Sequence, residues 1–84
     1  MRGTGADRMW IQAEAILNGW TVKRHDLLRI DYLYRDGKMV AIGYDDDGQV
    51  ATARMGGREG RSLASVKRSD QGKDKIVRRW LNDR

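Results

Sequence analysis

The chain has 84 residues, 17 Lys and Arg against 12 Asp and Glu, a formal net charge of +5, and no Cys, Pro or Phe. A chain of this length makes one small domain spanning 1–84 that buries about 60–65% of its surface on folding; the lack of Cys excludes disulfides, thiolate metal sites and a cysteine nucleophile. No apolar run approaches the ~20 residues of a membrane span, and the start, Met1-Arg2-Gly3-Thr4-Gly5, lacks the apolar stretch of a signal peptide, so the expectation is a cytoplasmic protein with no membrane partner.

Residues 1–5 are expected to be flexible, and 6–18 to form a helix. Met9, Trp10, Ala13, Ile16, Leu17 and Trp20 recur at spacings of three and four, one apolar stripe expected to pack on a sheet. Thr4 is placed to cap this helix, and Gly19 to stop it.

Residues 28–55 read as an antiparallel meander. Leu28, Ile30, Tyr32 and Tyr34 alternate with Arg29, Asp31, Leu33 and Arg35, the period of a half-buried strand. The first turn holds Asp36-Gly37 and allows two registers. A two-residue loop pairs Arg35 with Lys38 and sets Met39, Ala41 and Gly43 beside the tyrosines. A three-residue loop pairs Tyr34 with Lys38 and sets Val40, Ile42 and Tyr44 there instead. The second register makes the more apolar face and is the one expected. A turn at Asp45-Asp46-Asp47-Gly48 then pairs Tyr44 with Ala51 and Ile42 with Ala53, leaving Val50, Thr52 and Arg54 on the outer face.

Residues 56–72 are irregular or a fourth strand, with Ala64 and Val66 on one face of that strand. Residues 73–83 read as a closing helix in which Ile76, Val77, Trp80 and Leu81 form the apolar stripe. The fold class is therefore α+β: a helix, a three- or four-stranded antiparallel meander and a C-terminal helix, both helices on one face of the sheet.

No residue pattern carries catalysis, and no cofactor or metal is expected. His25 is the sole histidine, and Asp26 beside it points to the other face of an extended chain. The three aspartates at 45–47 lack the ligand spacing of a calcium loop and fit a solvated turn. Gly57-Arg58-Glu59-Gly60-Arg61-Ser62 has the wrong glycine spacing for a phosphate loop. The element order is loosely similar to that of small metal-dependent nucleases, but Val40-Ala41-Ile42-Gly43-Tyr44 holds neither the carboxylate nor the lysine they need.

The charge is uneven. Residues 1–55 balance eight basic side chains against eight acidic, so residues 56–84 hold the whole excess. A basic segment beside a neutral body points to a polyanion, DNA or RNA, as partner. The candidate phosphate-binding residues are Arg54, Arg58, Arg61, Lys67, Arg68, Lys73, Lys75, Arg78 and Arg79, with Lys75, Arg78 and Arg79 on one strip of the last helix. An accessory or regulatory factor of a phage or mobile element fits this chemistry. Helix, three strands and helix is similar in element order to double-stranded-RNA-binding domains. In that family a lysine cluster opens the last helix, where Lys73 and Lys75 stand here, although Asp74 interrupts them and the glycine–alanine pattern of the family's helix is missing. Sheet-reading domains such as the arm-binding domains of phage integrases are similar at the same level. The alternative expectation is a protein–protein module, inhibitor or homodimer that uses Leu33, Met39 and Val50 on the outer sheet face.

Overall fold

The computed structural model of the chain describes residues 6–57 and 60–83. The expectations for residues 1–5, for a Thr4 cap and for Arg58 lie outside them. Helix α1, Ala6–Leu17, is followed by five strands, β1 Thr21–His25, β2 Ile30–Arg35, β3 Lys38–Tyr44, β4 Val50–Gly56 and β5 Ser62–Val66, and by helix α2, Lys73–Asn82. The strands form one antiparallel sheet in the order β1-β2-β3-β4-β5, a five-stranded meander. The fold class is α+β, with more strands than the three or four expected. β5 is the strand anticipated within 56–72, while β1 adds an edge strand. Its Thr-Val-Lys-Arg-His run holds one apolar residue, too few to announce a strand by alternation.

Ile11 and Ala15 from α1, Val77 and Leu81 from α2, and Leu33, Val40, Ile42, Tyr44, Val50, Ala53 and Val66 from the sheet form one buried cluster. Ile76 and Trp80 pack against it, so the four-residue stripe of α2 lies where its spacing places it.

The first hairpin takes the register that the sequence makes less apolar. Arg35 pairs with Lys38, Tyr34 with Met39 and Leu33 with Val40. Asp36 and Gly37 both have positive φ, 51° and 78°, the two-residue turn whose twist matches the strands it joins. This overturns the three-residue loop. Asp31, Leu33 and Arg35 turn toward the helices, and Ile30, Tyr32 and Tyr34 turn away from them. An aspartate on the buried side is tolerated because it is partnered there. Wholly buried Asp31 accepts from Arg8 Nη2 at 2.7 Å and from Gln12 Nε2 at 2.8 Å.

Two further expectations change with the register. Leu33 and Val50 are buried core residues, not members of an exposed interface. Tyr44 pairs with Val50 across an irregularity after Gly43, while Ile42 still pairs with Ala53. The irregularity carries Val50 inward.

Of the expected stripe, Trp20, just beyond the end of α1, is buried in the core, but the members within α1 are not. Met9, Trp10, Ile16 and Leu17 are exposed; Ile11 and Ala15, four apart, face the core. Polar contacts on both flanks set the rotation of this helix. On one side Arg8 and Gln12 reach Asp31. On the other Glu14 accepts from Arg78 Nε at 3.0 Å and from Asn82 Nδ2 at 2.6 Å. Apolar counting cannot weigh such partners.

Candidate nucleic-acid interface

The helices cover one face of the sheet, and the other face is open. The pairing Lys23–Tyr32, Tyr32–Ala41, Ala41–Arg54 and Arg54–Ser65 runs as a row across all five strands. With strands ~4.8 Å apart, Lys23 and Arg54 stand about 14 Å from each other along this row. Beside it, His25, Ile30, Gly43 and Thr52 face the same way; on the other flank lie Thr21, Tyr34 and Met39.

The small side chains at 41, 43, 52 and 65 leave a shallow trough of about 390 Å³, bounded by Ile30 and Tyr32 at one side and Arg54 at the other. Gly43 is required for that shape, since a Cβ there would lie 3.0 Å from Thr52 Oγ1. The His25 and Tyr32 rings meet edge to face with centroids 5.7 Å apart, a contact that fixes the ring orientations. Among the described strand residues on this face none is Asp or Glu, while Lys23 and Arg54 are exposed cations.

Carboxylates elsewhere already hold many of the protein's cations. Arg8 bonds Asp31 and touches Asp26 at 3.2 Å, Arg24 bonds Asp26 at 3.1 Å, and Arg29 bonds Asp46 at 2.9 Å. Arg8 and Arg78 have their pKa values raised further, chiefly by hydrogen bonds to Asp31 and Glu14. The Arg78 bond in turn lowers the pKa of Glu14, against a smaller opposing effect of burial.

The eight sequence candidates among the described residues do not form one surface. Arg54 lies on the open sheet face. Arg61 precedes β5, Lys67 and Arg68 follow it, and all three are exposed. Lys73 Nζ donates to the carbonyls of Arg68 and Asp70 at 2.9 and 2.8 Å, so it ties the β5–α2 connection together. Lys75 and Arg79 are exposed on α2, on the helix side and away from Arg54. Arg78 is committed to Glu14. The expected strip of three cations on α2 is thus reduced to Lys75 and Arg79. Met39 is the one member of the alternative set that reaches the open face.

Sequence reasoning missed Lys23, His25, Tyr32 and Tyr34. The signal for the two tyrosines was the Asp36-Gly37 dipeptide, whose preference for a two-residue turn carries them outward; Lys23 and His25 lie on β1, which its sequence does not announce. Among the described residues no group of three His, Asp or Glu side chains is placed to hold a metal ion, and no helix is long and apolar enough to cross a membrane. No protein-family model, curated protein or solved structure matches the chain.

On this face Tyr34 is exposed and Tyr32 half-buried, with Lys23 and Arg54 beside them and no carboxylate among the described strand residues. In general, an aromatic side chain open to solvent stacks a nucleobase at about 1–3 kcal/mol, without regard to base identity, and Lys and Arg pair with phosphates.

Proposed function

We propose that the chain is a nucleic-acid-binding protein, without catalytic activity, that lays a single strand of DNA or RNA across its open sheet face. The observation that carries this reading is the Lys23–Tyr32–Ala41–Arg54–Ser65 row: an aromatic ring and a small-residue trough between two cations, on a face with no described carboxylate. Bases stack against Tyr32 and Tyr34, and phosphates pair with Lys23 and Arg54, with Arg61, Lys67 and Arg68 extending the positive margin around β5. Double-stranded nucleic acid fits less well, because the rings would face stacked and paired bases that they cannot reach. The experiment is a fluorescence anisotropy titration with a labelled mixed-sequence single strand and a duplex of equal length. At ~50 mM salt the single strand binds in the micromolar range and more tightly than the duplex, and its affinity drops steeply by ~200 mM. Absence of binding by either at the lower salt removes the reading.

A further inference from the structure

The solvent side of α1 is apolar along its length. Met9, Trp10, Ala13, Ile16 and Leu17 all face away from the core, and the four large ones are 72%, 66%, 64% and 83% exposed. The wholly buried Ile11 and Ala15 lie on the opposite side. The exposed set has an internal order. Ala13 is at its centre, with Met9 and Leu17 four residues away on either side and Trp10 and Ile16 three away. The i±4 ridge Met9–Ala13–Leu17 therefore crosses the i±3 ridge Trp10–Ala13–Ile16 at the smallest side chain. This is a saddle: a low point ringed by four large side chains, which lets a second helix of the same shape cross closely there.

Four side chains of this size and exposure present roughly 600 Å² per copy, at the top of what an isolated monomer shows as its largest apolar patch. Two such faces pressed together bury at most about 1,200 Å², the lower bound of a standard specific interface. Leu27 and Leu28 in the β1–β2 turn are also exposed, 94% and 62%. Arg8 holds that turn beside α1 through its contact with Asp26.

Most charges bordering α1 are paired, while Lys75 and Arg79 on neighbouring α2 are exposed cations. Arg8 and Arg24 meet Asp26, Arg29 meets Asp46, and Arg78 meets Glu14. A saddle ringed by four large side chains is complementary in shape to a second copy of itself, and the apolar area it offers is of the order a dimer needs. We infer that the occupant is a second copy of this chain, and that α1 of each copy crosses the other at Ala13 in a two-fold dimer. The contact is isologous. The helix layers then lie inside the dimer and both open sheet faces remain outside, so the strand-binding surface proposed above is displayed twice.

Sedimentation velocity of the full chain tests this. The expected result is a species of twice the chain mass at about 100 μM that dissociates on dilution. Ala13→Arg puts a charge at the crossing point, and Leu17→Lys repeats the test at the most exposed of the helix positions. Each should give single-chain mass with an unchanged far-ultraviolet circular dichroism spectrum. A wild-type monomer at about 100 μM overturns the inference, and so does a dimer that survives both substitutions. A monomer that pellets with phosphatidylglycerol vesicles also overturns it, assigning the face to a bilayer.

Discussion

The Asp31 carboxylate lies 2.7 Å from Arg8 Nη2, wholly buried beneath α1. This one contact joins the rotation of the helix to the register of the first hairpin. With Asp31 inside, Tyr32 and Tyr34 must be outside, since neighbours on a strand face opposite ways. Removing Arg8 alone strands a buried charge, and Arg8→Ala is predicted to cost about 3–5 kcal/mol. Replacing both partners by apolar residues of similar volume, Arg8→Met with Asp31→Leu, should recover most of that loss. Urea unfolding of the two variants checks this. A mild effect of Arg8→Ala would show that the pair does not hold the register.

Tyr44 stands next to this pair. The Arg8 guanidinium lies 5.2 Å from its ring centroid, and its buried hydroxyl, close to the Asp31 carboxylate, completes no well-formed hydrogen bond among the described residues. Burial, then the neighbouring Asp31 charge, raise the phenol well above its ordinary pKa of 10.0. Tyr44→Phe removes a desolvated oxygen and keeps the ring, so it should leave stability unchanged or raise it by up to about 1 kcal/mol. Thermal unfolding measures this. A loss of 1 kcal/mol or more would mean that the hydroxyl is bonded.

Arg35 joins the ends of both helices. It donates to Asn18 O at 2.9 Å, beyond α1, and to Asp83 O at 2.6 Å, beyond α2, with its guanidinium 4.5 Å from the Trp20 ring centroid. A cation there meets the negative ends of two helix dipoles. Arg35→Lys keeps the charge but loses the planar fork and the stacking, and should cost about 1–3 kcal/mol. Trp20 fluorescence during urea unfolding follows it, and an unchanged midpoint would contradict the role.

The Glu14–Arg78 pair gives a pH signature. Glu14 has a folded pKa lowered below its ordinary 4.5. Its stabilisation is therefore complete above pH 4.5 and is lost as pH falls through the lowered folded value. The pair is partly exposed, so the gain is about 1 kcal/mol or less. Urea midpoints of wild type and Glu14→Gln should differ at pH 7 and converge as the pH drops below 4.5. A gap that stays constant down to pH 3 would contradict this.

Where periodicity and turn chemistry agreed, the fold was legible in the sequence. Both helices to within a residue at their ends, the strands from β2 to β4 and the buried stripe of α2 follow from spacing and turn signals, while 56–72 stayed open between a strand and irregular chain. Two of the losses, the register of the first hairpin and the rotation of α1, share one cause. The tyrosines and the exposed stripe of α1 are more apolar than the faces that are buried, and counting apolar residues therefore chose the wrong sides. What decides is Asp31 with its partners Arg8 and Gln12, and Glu14 with Arg78, contacts between residues 19 to 64 positions apart. The basic excess of the C-terminal third was visible. Its division between the β5 margin, the crest of α2 and internal hydrogen bonds depends on tertiary structure.

The central claim is that the open sheet face, rather than α2, holds the nucleic acid. It is tested most directly by titrating a labelled single strand with wild type, Tyr32→Ala, Arg54→Ala and Lys75→Ala/Arg79→Ala at ~50 mM salt. Loss of one stacked base is worth about 1–3 kcal/mol, so Tyr32→Ala should weaken binding about 5- to 150-fold. Arg54→Ala should weaken it and flatten the salt dependence, and the α2 double variant should bind nearly as well as wild type. Full affinity in Tyr32→Ala with loss in the α2 variant would contradict the account.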